Sequence, residues 1–226
     1  MLQKTKAISL HYIRYKETSI IARLYTEEFG LQSFIVNGVR TVKSKMPAGL
    51  FQPFQLLDLV QYFNEKKDLH RLVEIKPALA LVELPFHPAK AAMAIFSAEL
   101  VSKVVREGQT NPVLFHLVWN WILELDHQKS GYESNHIGLI CKLLQPLGLT
   151  PEKWVDIFEN GKLPEGLSQN DCNIFFSKMC GLDSQPVLIG NATKQTILDS
   201  LIAYMQKHLD GLGSLNSISI LRDVFR

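Results

Sequence analysis

The period of the hydrophobic pattern changes between residues 76 and 88, and no single regular architecture accommodates both halves. Before that point apolar residues recur at every second position; after it they recur every three to four. Ile8, Leu10 and Tyr12 alternate with Ser9 and His11, and Ile21, Arg23 and Tyr25 with Ile20, Ala22 and Leu24. Leu31–Val39 follows, with Phe34 and Val36 on one face. Phe54–Phe63 sets Phe54, Leu56, Val60 and Tyr62 against Gln55 and Gln61, and Leu69–Ile75 sets Leu69, Arg71, Val73 and Ile75 on one side. Five short strands with no helical period between them predict a small closed or partly open antiparallel barrel, because closure removes the edges of a small sheet.

Thr26–Gly30 reads as a turn ending in a glycine, where a positive φ costs little, and Asn64–Asp68 as a polar turn. Past Pro77 the chain reads as helical throughout. Pro88 suits a first helical position for a helix running to about Glu107, and Asn111-Pro112 is a cap followed by proline. Further helices are expected near Glu133–Leu147, Asn170–Cys180, Thr193–Leu209 and Ser217–Phe225, with Asp156–Leu167 irregular. The expectation is therefore an α+β chain, all-β then all-α, with a barrel in residues 1–80 and a helical bundle in 81–226.

Composition excludes several classes. Hydrophobic residues make up 46% and charged residues 20%, as in an ordinary globular chain. The longest run without Asp, Glu, Lys or Arg is Gly108–Leu123. It is too short and too polar for a membrane span, which needs about 20 apolar residues. The first residues carry no apolar h-region, so the expected location is cytoplasmic, with no membrane partner. The three cysteines, Cys141, Cys172 and Cys180, form no CxxC pair and are expected to be reduced thiols, not a metal site. No phosphate-cradling loop, metalloprotease helix or nucleophile elbow occurs, and the seven histidines show no ligand spacing. No catalytic residue, metal or cofactor is expected. Asn191-Ala192-Thr193 matches a glycosylation acceptor but is expected to serve as a helix cap.

The net charge of +2 conceals a polarity. Residues 1–80 hold 12 Lys and Arg against 7 Asp and Glu, a net of +5, and the remainder holds 12 against 15, a net of −3. The positive excess is sharpest in Arg40–Gly49, where Arg40, Lys43 and Lys45 stand with no acid. A mobile cationic loop of this kind can follow a phosphate backbone, and small barrels of this size bind single strands with cationic loops and aromatic platforms. Tyr12, Tyr15, Tyr25, Phe34, Phe51 and Tyr62 are the aromatic candidates, most of them expected in the core.

Four segments together resemble the bacterial RecO family of recombination mediators. Thr5–Leu10 with Tyr15–Ser19 is similar to the family's first hairpin, and Leu24–Leu31 to its second strand and turn. Asn37-Gly38-Val39-Arg40, Lys43-Ser44-Lys45 and Leu50–Phe54 resemble its glycine-arginine and glutamine-proline stretch, and Tyr204–Leu221 its C-terminal helices. The resemblance implies an oligonucleotide/oligosaccharide-binding (OB) barrel followed by a helical domain. It implies binding of single- and double-stranded DNA and annealing of complementary strands. It also implies contact with the C-terminal tail of the single-stranded DNA-binding protein, and cooperation with RecR in loading recombinase. By position, Arg40, Lys43 and Lys45 would be DNA contacts, with Arg14 and Lys16 beside them. Many members carry a four-cysteine zinc ribbon in the helical domain; Phe158–Cys180 here lacks the CxxC pairs, so the expected bundle has no ribbon.

A second reading is an adaptor whose helical part recruits repair partners, with DNA binding secondary. It needs an apolar pocket beside a cation, and Lys103, Arg106, Lys142, Lys178 and Lys207 are equivalent candidates by spacing.

Overall fold

Leu2–Tyr15 (β1) runs fourteen residues without proline or glycine. In the computed structural model, which describes residues 2–41, 44–64, 67–182 and 189–225, it is followed by β2 (Ser19–Thr26), β3 (Gly30–Val36), β4 (Leu56–Tyr62) and β5 (Leu69–Pro77). These strands close into a barrel in the order β1-β2-β3-β5-β4. Six α-helices follow, so the expected succession of all-β and all-α regions holds.

The barrel is not wholly antiparallel, as alternation alone suggested. β3 and β5 pair in parallel through Ser33↔Leu69, Phe34↔His70 and Ile35↔Arg71. After β3, the connection through residues 37–55 delivers the chain to β1, where β4 pairs antiparallel. β5 then turns back and closes against β3 in the latter's own direction.

The interior holds Ala7, Ile20, Ala22, Leu24, Phe34, Val36, Phe51, Leu57, Leu59 and Ile75, with Val39 from the following loop. Two expected faces are corrected. Gln61 is fully buried and Tyr62 exposed, and on β5 Ile75 is buried while Leu69, Arg71 and Val73 are exposed. On β4 the alternation is regular, with Leu57, Leu59 and Gln61 inward; on β5 the cause is a bulge, since Val60 pairs with Glu74 but Gln61 with Leu72, which leaves Val73 as the extra residue. One extra residue reverses the facing of everything beyond it. The inward Gln61 is half satisfied, its Oε1 buried without a hydrogen-bond partner. Its amide donates to Gln32 Oε1 at 2.9 Å, and the Gln32 amide lies 3.3 Å from His70 Nε2.

The first helices, α1 (Pro88–Val104) and α2 (Pro112–His127), belong to the barrel's compact unit. Pro88 stands at the start of α1, and Asn111 Oδ1 accepts the Leu114 N–H at 3.0 Å, the cap its sequence announced. β1 is buried on both sides from Ala7 to Leu10, because α1 packs on the face that the barrel interior leaves free. Ring pairs Tyr25–Phe115 and Phe54–Trp121 join sheet to α2, and the Tyr25 hydroxyl donates to the Asn111 carbonyl at 3.0 Å. Gly30, with φ +67°, sits so close that an added Cβ would fall 2.3 Å from the Gln109 carbonyl oxygen.

A buried clamp holds the segment between β5 and α1. The Asp126 carboxylate accepts N–H bonds from Val82, Glu83 and Leu84 at 2.7–3.0 Å. Fully buried Lys90 donates to the Asp126 carbonyl at 3.0 Å and faces the Glu83 carboxylate. Burial alone would raise the Asp126 pKa; the three N–H donors hold it below its ordinary value.

Secondary structure changes type near residue 80, but the chain divides spatially after His127, into residues 1–127 and 128–226. The second unit contains α3 (Asn135–Leu144), α4 (Gln169–Met179), α5 (Asn191–His208) and α6 (Ile218–Val224), with short 3₁₀ turns at Trp154–Ile157 and Glu159–Gly161. Trp154 stacks on Phe176 with ring centroids 4.3 Å apart, and Arg222 of α6 pairs with Asp199 of α5 at 2.6 Å. Ser168 caps α4, accepting the Asp171 N–H at 3.1 Å. Asn191 is not a cap: it is the first residue of α5, and Gly190 occupies the cap position.

Candidate nucleic-acid interface

β1 and β2 meet at Lys16–Thr18, where Lys16 adopts φ 54°. The chain leaves β3 at the same end of the barrel, since Ile20 pairs with Val36. Gly38, at φ +70°, begins a tight turn: its carbonyl accepts both the Thr41 hydroxyl at 2.8 Å and the Thr41 N–H at 3.2 Å. This turn aims Arg40 at the hairpin. The Arg40 N–H donates to the Thr18 carbonyl at 3.3 Å, and its Nη1 to the Glu17 carbonyl at 3.1 Å. The Ser19 hydroxyl bonds Asn37 Oδ1 at 2.9 Å.

The described parts of the loop are tied to the barrel and the hairpin. Val39 is buried in the barrel core, Met46 packs against that core, and the Met46 N–H bonds the Ser44 hydroxyl. Arg14, Lys16, Arg40 and Lys45 are all exposed, and the hairpin turn and this loop hold them at one end of the barrel. Glu17 is the acid in the turn. Lys43, the fifth expected contact, lies outside the described residues. Of the aromatic candidates, Tyr25, Phe34 and Phe51 are fully buried, Tyr12 packs on the core, and Tyr15 and Tyr62 are exposed. The Lys16 ammonium lies 5.4 Å from the centroid of the Tyr15 ring.

The other end of β2 is covered. Glu27 pairs with His116 at 3.0 Å, and Arg23 with Glu107 at 2.8 Å. There β3 runs beside residues 107–109. Arg23, counted in the barrel's positive excess, is thus engaged structurally.

Burial disfavours the thiolate form of all three cysteines. Burial pushes Cys141 up strongly, Cys172 up to about 11, and Cys180 upward against the opposing effect of Lys142. Among the described residues no three His, Cys, Asp or Glu side chains gather as metal ligands, and no helix is long and apolar enough to cross a membrane. In the second unit, Lys207 lines a groove of about 780 Å³ with Phe158, Tyr204 and His208, but Asp156, Glu159 and Asp199 line it too.

A closed five-stranded barrel with a parallel β3–β5 closure is an OB fold, here succeeded by helices, with Arg14, Lys16, Arg40 and Lys45 exposed at its hairpin end. Residues 1–80 match the family model for the N-terminal part of recombination protein O, and residues 86–156 the model for its C-terminal part. A DNA repair protein RecO from Bacteroides fragilis is 36% identical over 151 residues, 67% of this chain and 62% of that protein. The aligned region thus spans less than two thirds of that relative's length. Proteins of the same name from Azobacteroides pseudotrichonymphae (27% identical over 240 residues) and Christiangramia forsetii (28% over 239) match over the full length of both chains. The chain belongs to the RecO family of DNA repair proteins.

Proposed function

We propose that this protein is a recombination mediator that binds single- and double-stranded DNA through phosphates, anneals complementary strands and helps load recombinase onto DNA coated with single-stranded DNA-binding protein. The observation that carries the reading is the cationic hairpin end: Arg14, Lys16, Arg40 and Lys45, held together by the Arg40 bonds to Glu17 and Thr18. Fixed cations that meet phosphates give affinity without sequence preference, because the phosphate backbone is the same for every sequence. Two strands neutralised on one surface repel each other less, which is what annealing requires. The chemistry involves no bond making, and the role is that of a mediator and not an enzyme. The contacts with the single-stranded DNA-binding protein's tail and with RecR, and a cytoplasmic location, come with the family reading.

The adaptor reading has less support. An acidic partner tail entering the Lys207 groove would meet three carboxylates there. A strand-annealing assay tests the proposal. The protein should accelerate pairing of complementary labelled oligonucleotides at low salt and lose that effect as salt rises. No acceleration at any salt concentration would sink it.

A further inference from the structure

The outer face of the sheet formed by β1, β4 and β5 carries a row of exposed apolar and aromatic side chains with a cation beside them. Cross-strand register places Leu2 opposite Tyr62 and Tyr62 opposite Arg71. Neighbours of this kind have Cβ atoms about 5 Å apart, so the three side chains adjoin. Tyr62 is 58% exposed and Leu2 49%, and the flanking Leu69 and Val73 are also exposed. Outward-facing strand positions are ordinarily polar. An open phenol ring bordered by aliphatic groups and a guanidinium is therefore a surface to be covered.

The bulge at Val73 creates the row. It reverses the facing of β5 beyond Ile75, turning Arg71 outward beside Tyr62, which the regular alternation of β4 already faces outward. The local chemistry selects the occupant. Arg71 lies within the row, and Lys4 stands next along β1, on the same face as Leu2. The adjacent row is Lys4–Val60–Glu74 and balances its charge, and the one beyond it is Lys6–Asp58–Lys76. An aromatic ring with a cation beside it fits an unstacked base and its phosphate. A base inside a duplex has both faces covered by neighbours and cannot use the ring.

We infer that the Leu2–Tyr62–Arg71 row is a second DNA contact that takes single strands selectively, a base stacking on Tyr62 and its phosphate meeting Arg71. This rests on the DNA-binding reading above and adds discrimination to it. The hairpin end at the far end of β1 grips phosphates of either form of DNA, and this row engages only strands whose bases are free.

The test is a pair of fluorescence-anisotropy titrations of the full chain, with a single-stranded oligonucleotide and with the duplex of the same sequence. Tyr62→Ala should weaken single-strand binding about tenfold, the effect of losing one base–aromatic stack, and leave duplex affinity unchanged. Tyr62→Phe should keep the affinity. Arg71→Gln should flatten the single-strand salt dependence by roughly 0.7 in log–log slope. An equal loss on both DNAs, or none on either, overturns the inference, as does a Tyr62→Ala variant that alters only self-association in sedimentation. If the unmodified chain binds neither DNA, the DNA-binding reading falls with it; if the chain binds and Tyr62→Ala is silent, this inference alone falls. Circular dichroism melting of each variant separates loss of contact from loss of fold.

Discussion

The two ends of β2 use charge in opposite ways. At the covered end Arg23 and Glu27 are engaged by Glu107 and His116, and Gly30 lies against the backbone of Gln109. At the hairpin end Arg14, Lys16, Arg40 and Lys45 are exposed on a tethered loop and turn. The difference teaches that a cation's role is set by what packs over it and not by its place in a charge count. Variants at the covered side should change stability without changing DNA binding, and variants at the hairpin end should do the reverse.

The largest expected effect is away from the hairpin end, at the clamp on the segment between β5 and α1. Asp126→Ala leaves the Val82, Glu83 and Leu84 N–H groups without their acceptor, and should cost about 3–5 kcal/mol in chemical denaturation of the barrel's unit. Whatever protein remains folded should keep its salt dependence of DNA binding. A loss under 1 kcal/mol would show the clamp to be dispensable.

Acid offers a second contrast. Burial lowers the His70 pKa, with Lys67 adding to this and Asp68 opposing it. A histidine whose folded pKa is depressed binds more protons unfolded, so its contribution is present above its ordinary pKa of about 6.5 and lost as pH falls below that value. Melting temperature should drop between pH 7 and 5, and His70→Gln should lessen the drop. An identical pH dependence in that variant would remove His70 from the account.

Much of this was legible in the sequence, and most of the exceptions share a cause. Alternation and capping residues located all five strands and the helices to within a few positions. The face of β5 was misread because one extra residue, Val73, inverts it, and that of β4 because its inward set, Leu57, Leu59 and Gln61, ends in a polar residue while Leu56 and Tyr62 of the other set are apolar. The parallel closure, the clamp around Asp126 and the division after His127 all depend on contacts between residues far apart in the chain. At the candidate site, the cluster of cations on the loop was visible. The Arg40 tether to the hairpin and the emergence of Tyr62 beside Arg71 depend on the closed barrel.

The smallest expected effect sharpens the hairpin end. Lys16 holds a left-handed conformation that costs a side-chain-bearing residue about 1 kcal/mol. Lys16→Gly should leave stability the same or slightly higher while making the single-strand salt slope shallower by about 0.7. A destabilised variant with an unchanged slope would make Lys16 a structural residue.

The most direct test of the central claim is the salt dependence of single-strand affinity for the unmodified chain and for a variant with Arg14, Lys16, Arg40 and Lys45 all changed to Gln. If the hairpin end is the phosphate-binding surface, the log–log slope should be shallower in the variant by roughly 3, from four lost contacts at about 0.7 each, with the melting temperature little changed. An unchanged slope in a folded variant would contradict the account and move the DNA to another face of the molecule.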